Sequence, residues 1–156
     1  MYFVLLFLKN NKMKKDILIV TAQYYPEISE NLKQGASKYI RDLHLEGVKV
    51  VEIDVPGVFE IPVVIAKNID TYDAFIALGC VIKGKTPHFE FISKAATNAL
   101  MNLSISHKKP IGNGIITCLN KKQGLERSKL KGKGILKNKG REAAYAVWKL
   151  FHAFNI

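Results

Sequence analysis

Ile17-Leu18-Ile19-Val20-Thr21 is an unbroken apolar run rich in β-branched residues. A strand with one wet face alternates apolar and polar residues, whereas an unbroken run belongs to a strand covered on both faces, as in a parallel sheet under helices. The stretches on its C-terminal side fit that arrangement. From Glu30 onward, Leu32, Ala36, Ile40 and Leu43 keep helical spacing, and Gly47 supplies a stop. Val48 to Val55 reads as a second strand turned by Pro56-Gly57, and Ile61 to Asn68 as a short helix with Pro62 in its first turn.

Ala74 to Val81 gives a third strand and Phe89 to Ser106 the clearest helix, with Ile92, Ala95, Ala96, Ala99 and Leu103 on one side. Ile111 to Cys118 is a fourth strand, followed by a short helix from Lys121 to Ser128. Asn138 caps a last helix whose apolar side is Ala144, Val147, Trp148 and Phe151. Strand and helix alternate with no repeat and no low-complexity linker. The expected fold is therefore α/β: a single-domain three-layer sandwich with a four-stranded parallel, flavodoxin-like sheet flanked by helices on both faces. In such a sheet ligands bind at the strand C-terminal edge, here the loops beginning near Ala22, Pro56, Lys83 and Leu119.

The 156 residues suit one domain. Residues 1–15 read as an N-terminal extension or arm, with Met1 to Lys12 a start-site extension or loose arm before Met13, and residues 16–156 as the domain. The apolar run Tyr2 to Leu8 lacks the flanks of a signal peptide and the length of a membrane span, so a cytoplasmic protein is expected. Cys80 and Cys118 sit in apolar runs, as buried thiols of a reducing compartment do. His44, His88, His107 and His152 show no metal-ligand spacing, and no metal is expected.

A formal net charge of +11 makes a polyanion an obvious partner class. The excess is localised: residues 1–106 carry 12 basic and 11 acidic side chains, whereas residues 107–149 carry 12 basic ones against only Glu126 and Glu142. A nucleic-acid module would interleave aromatic residues with these cations for base stacking, and Lys121 to Lys139 contains none. Neither nucleic acid nor membrane is the expected partner.

Gly79-Cys80-Val81-Ile82-Lys83-Gly84-Lys85-Thr86 matches the GxxxxGK[ST] phosphate loop, which makes a P-loop phosphotransferase the other alternative. Against it, Cys80-Val81-Ile82 continues a strand rather than wrapping a phosphate, and Pro87 removes an N–H beside Thr86. A simpler arrangement has Thr86 as N-cap and Pro87 as first helical residue. Lys85, Thr86 and the helix end then form a site for one small phosphate, with His88 at its mouth.

Three stretches together resemble the lumazine synthases of riboflavin biosynthesis. They are Val55-Pro56-Gly57-Val58-Phe59-Glu60-Ile61-Pro62, then Ala77-Leu78-Gly79-Cys80-Val81-Ile82-Lys83-Gly84-Lys85-Thr86-Pro87-His88-Phe89-Glu90, then Asn138-Lys139-Gly140 with Glu142-Ala143-Ala144. The resemblance covers Ile17 to Trp148. It implies condensation of 5-amino-6-(ribitylamino)uracil with 3,4-dihydroxy-2-butanone 4-phosphate, giving 6,7-dimethyl-8-ribityllumazine, phosphate and water, with no cofactor.

Carried across position by position, the resemblance puts Tyr24 against the pyrimidine ring and Val58, Phe59 and Glu60 along the ribityl chain and ring. Val81, Ile82 and Lys83 read the uracil edge, while Lys85, Thr86 and Arg127 hold the phosphate. Lys139 is a further site lysine, and His88 moves protons. Asn113 stands where the family often has Phe, Tyr24-Tyr25 where Phe-Asn is common, and the stretch between Arg127 and Lys139 is longer than usual. Asn113 lies near the start of its strand, the wrong edge for its own subunit's site, and so reaches a site only across an interface. The resemblance likewise implies a homopentamer or a multiple of it, with sites between neighbours.

Overall fold

The computed structural model describes residues 15–131 and 137–154. Four strands form one parallel sheet: β1 (Lys15–Ala22), β2 (Val48–Val55), β3 (Ala74–Ile82) and β4 (Ile111–Cys118), in the order β2-β1-β3-β4. Five α-helices cover it: α1 (Pro26–Asp42), α2 (Ile61–Lys67), α3 (His88–His107), α4 (Lys121–Arg127) and α5 (Lys139–Ala153), with a 3₁₀ turn at Val58–Glu60. The expected α/β sandwich is present. Lys15 already belongs to β1, paired with Val48; the rest of the supposed N-terminal arm, residues 1–14, lies outside the described residues.

The unbroken apolar runs are explained by the two cores. Along β1, Ile17 and Ile19 face α1 and α5, while Leu18 and Val20 face α2 and α3. The second core also takes Phe75, fully buried on β3. Burying such side chains contributes about 2–3 kcal/mol each.

The order of the strands positions the site. The chain leaves β1 for β2 on one side and later returns to β3 on the other, so the loops after β1 and β3 diverge at the C-terminal edge. A crevice opens between them. Cys80 and Cys118 are both buried, as expected, with sulfurs 3.8 Å apart at that same edge.

Several boundaries differ from expectation. Helix α1 begins at Pro26 rather than Glu30, because Pro suits the first turn and the Ser29 hydroxyl donates to the Ala22 carbonyl, folding that turn onto the end of β1. It ends at Asp42, with His44 in the left-handed region at φ 48°, before Gly47 is reached. At the start of α3, Pro87 is itself the N-cap residue and makes no side-chain cap, so the expected Thr86 cap is corrected. His88 is the first helical residue.

Candidate active site

A cleft of about 600 Å³ lies over the C-terminal ends of β1, β2 and β3. Tyr24 and Tyr25 come from the loop after β1; Val58, Phe59 and Glu60 from the turn after β2; and Val81, Ile82, Thr86 and His88 from the end of β3 and the start of α3. All were expected site residues except Tyr25. Pro56, Gly57, Cys80, Gly84, Phe89 and Ile92 complete the lining and were not expected. Phe89 and Ile92 follow His88 by one and four residues, so the helical repeat carried a signal for Ile92.

Backbone ties hold these loops together. The Gln23 N–H donates to the Val55 carbonyl at 2.8 Å, joining the first loop to the second, and the Lys83 N–H donates to the Cys118 carbonyl at 2.9 Å. In the turn after β2 the Gly57 N–H donates to the Glu60 carboxylate at 3.0 Å, while the Glu60 N–H donates to the Gly57 carbonyl at 3.3 Å. That reciprocal pair fixes the turn and leaves the second carboxylate oxygen of Glu60 available. Tyr24, 71% exposed, and Phe59, 61% exposed, stand out from the loops as apolar walls for a planar ligand. Tyr24 meets Tyr25 edge to face, with ring centroids 5.0 Å apart. Burial, with Tyr24 and the two thiols nearby, pushes the Tyr25 phenol above its ordinary value, so it stays protonated as a donor.

Gly79 is what lets the second loop close on the sheet. A Cβ there would lie 2.8 Å from Val58 Cγ2 and 3.0 Å from Ala22 Cβ. Gly79→Ala is expected to lower stability by about 1–3 kcal/mol through overpacking. Thermal unfolding checks this, and an unchanged midpoint would show that the Val58 turn gives way freely.

Lys83 and Lys85 are exposed on the rim between Ile82 and Thr86 without lining the cleft. Lys83 pairs with Glu90 at 3.6 Å, bridging β3 to the first turn of α3 on either side of His88. Gly79 to Ile82 lie within β3, extended and paired with β4, so this stretch continues the sheet and does not wrap around a phosphate as a nucleotide-binding loop does. The phosphotransferase alternative is not favoured. Among the described residues no group of three or more His, Cys, Asp or Glu is placed to hold a metal ion.

Asn113, Arg127 and Lys139 are not brought to the cleft. Asn113 is exposed on β4, the edge strand, where its Oδ1 accepts the Ile115 N–H at 3.1 Å. Arg127 is exposed at the end of α4, and Lys139 opens α5, paired with Glu142 at 3.0 Å. Between them, residues 132–136 lie outside the described residues, including part of the stretch read as longer than usual.

The sequence profile of 6,7-dimethyl-8-ribityllumazine synthase matches residues 14–155. The chain belongs to that family. It is 41% identical over 143 residues to the 6,7-dimethyl-8-ribityllumazine synthase of Bartonella tribocorum, covering 90% of each chain. It is 38% identical over 136 residues to that of Renibacterium salmoninarum, covering 85% of this chain and 84% of the relative. A Rhodopseudomonas palustris protein named 6,7-dimethyl-8-ribityllumazine synthase 1 is 43% identical over 138 residues, covering 84% and 80%. The match covers the whole sheet and every loop of the cleft, and the first two of the three quoted stretches coincide with the pocket on one edge.

Proposed function

We propose that the chain condenses 5-amino-6-(ribitylamino)uracil with 3,4-dihydroxy-2-butanone 4-phosphate to 6,7-dimethyl-8-ribityllumazine, the riboflavin precursor. The observation that carries this is the convergence of Tyr24, Val58 to Glu60, Val81, Ile82, Thr86 and His88 on one cleft, contributed by three separate loops of a family member. Mixing the two substrates with the protein should give the product's absorbance and fluorescence. No product above the uncatalysed rate would overturn the proposal.

The chemistry assigns work to each group. The 5-amino group attacks the ketone and water leaves to give a Schiff base; phosphate is then eliminated and the ribitylamino nitrogen closes the ring. Ring closure at the remaining carbonyl expels a second water. Each step moves protons, and histidine side chains as a class exchange them near neutral pH. His88 stands at the cleft mouth for that purpose. His88→Ala is expected to lower kcat by about 10- to 100-fold without abolishing turnover, because holding the two substrates together survives. Steady-state kinetics decide it, and unchanged kcat would remove His88 from proton transfer.

The phosphate belongs with Lys85, Thr86 and Arg127, where charge-assisted hydrogen bonds stabilise the leaving group. Arg127→Ala is expected to raise the KM for the phosphate substrate about tenfold while leaving that for the pyrimidine near its original value. An unmoved phosphate KM would exclude the arginine.

The site is completed by a neighbouring copy, which supplies Asn113, Arg127 and Lys139 to the cleft of the first. Two features support this. Those three residues face away from their own cleft, and α3 carries two apolar faces. Ile92, Ala96, Leu100 and Leu103 pack inward, while Phe91, Met101 and Ile105 are 71%, 58% and 67% exposed on the opposite side. A helix apolar on both sides is normally covered on both. The assembly of this reading is a homopentamer or a multiple of it, a cytoplasmic enzyme with Cys80 and Cys118 reduced. Among the described residues no helix is long and apolar enough to cross a membrane.

A further inference from the structure

The geometry points to Asn138 as a positioning residue that sets the place of Arg127 in the phosphate site. The inference rests on the reading of Arg127 as a phosphate ligand. Asn138 is completely buried, one of very few buried polar side chains among the described residues. Its Oδ1 accepts the Arg141 N–H at 3.0 Å, which is ordinary helix capping. Its amide nitrogen does something that capping does not require. It donates toward the carbonyls of Ser128 at 2.8 Å, Asn31 at 3.2 Å and Lys129 at 3.4 Å. One side chain therefore joins α1, the turn that ends α4 and the start of α5.

The turn so held begins immediately after Arg127. Ser128 is also fully buried, with its N–H and hydroxyl both directed to the Leu125 carbonyl at 3.2 Å. The Arg127 backbone is thus fixed on one side by the last turn of α4 and on the other by Asn138. Lys129 pairs with Glu126 and occupies the nearest acid, and none of the described acids pairs with Arg127. The guanidinium stands on a rigid base and makes no ion pair with the described residues. Room for the amide comes from Gly35 on α1, since a Cβ there would collide with the Asn138 side chain. Short chain segments between two functional residues, here Arg127 and Lys139, need such an anchor because a displacement near 1 Å in a ligating group costs about a hundredfold in rate.

Asn138→Ser keeps a helix cap and loses the amide nitrogen that bridges the three carbonyls; Asn138→Asp keeps the shape and the cap oxygen and serves where the serine variant fails to fold. Kinetics with both substrates are measured for each, alone and combined with Arg127→Ala. The expected result is a phosphate-substrate KM raised about tenfold, a pyrimidine KM within about twofold, and no added effect once Arg127 is alanine. A purely structural role would move both KM values together and would add to the Arg127 substitution. The proposal is overturned if Arg127→Ala raises the phosphate KM and the Asn138 variants do not, or if the two substitutions are additive. If Arg127→Ala alone leaves that KM unchanged, the phosphate reading itself has failed, and Asn138 has nothing to position.

Discussion

Replacing Ile105 by glutamate removes activity almost completely and leaves a folded protein of monomeric size in light scattering or sedimentation. Ile105 is 67% exposed in the single chain, so the charge is tolerated by the protomer. In the proposed assembly a neighbouring copy covers the second apolar face of α3, to which Ile105 belongs together with Phe91 and Met101. Burying a carboxylate there without a partner costs several kcal/mol, roughly 3 or more at each contact, and a closed ring repeats the cost in every copy. Loss of activity then follows from loss of assembly if, as proposed, Asn113, Arg127 and Lys139 come to the cleft from a neighbouring copy. Circular dichroism should be unchanged, since Ala96 and Leu100 on the inward face of the same helix keep their packing. A fully assembled and active Ile105→Glu protein would place the interface elsewhere.

β1 and β3 were legible because burial on two faces leaves an unambiguous apolar run, and edge strand β2 because β-branched residues alternate with polar ones. Val48–Val55 and Ile111–Cys118 fall where the apolar runs end, and β1 and β3 extend only slightly beyond theirs. Helix ends were less legible, because they depend on contacts made across the fold. The Ser29 hydroxyl on Ala22 draws α1 back to Pro26, and His44 turns left-handed just after the helix, ahead of Gly47, which also has a positive φ. Thr86 had the right chemistry for a cap, but Pro87 occupies the capping position itself.

Of the residues assigned to the site, eight line the cleft (Tyr24, Val58, Phe59, Glu60, Val81, Ile82, Thr86 and His88), whereas Tyr25 and Cys80 line it without having been assigned. Periodicity tells which side of an element is apolar, not which part of that side is left uncovered at the sheet's edge. The charge excess is a similar case. Lys121 pairs with Glu27, Lys129 with Glu126 and Lys139 with Glu142, so three of the eight cations from Lys121 to Lys139 are answered locally. Arg127 is not in these pairs. Composition pointed to a polyanion, whereas the proposed function needs only one small phosphate ester.

Mixing two inactive proteins tests most directly whether the cleft and Arg127 belong to different copies. His88→Ala and Arg127→Ala each have low activity when the phosphate substrate is kept well below the KM of the arginine variant. If every site takes its cleft from one chain and its arginine from the next, the two variants complement. A chain with intact His88 is the arginine variant, and its neighbour has an intact arginine only if it is the histidine variant. In a ring assembled at random from equal amounts, about a quarter of sites meet both conditions. Co-expressed or co-refolded protein should therefore recover to about a quarter of the original activity, well above either parent. Had Arg127 served the cleft of its own chain, every site would still carry one defect, and the mixture would show only the average of the two parents. His88 lines the cleft and Arg127 does not, which is the arrangement that makes recovery the expected outcome.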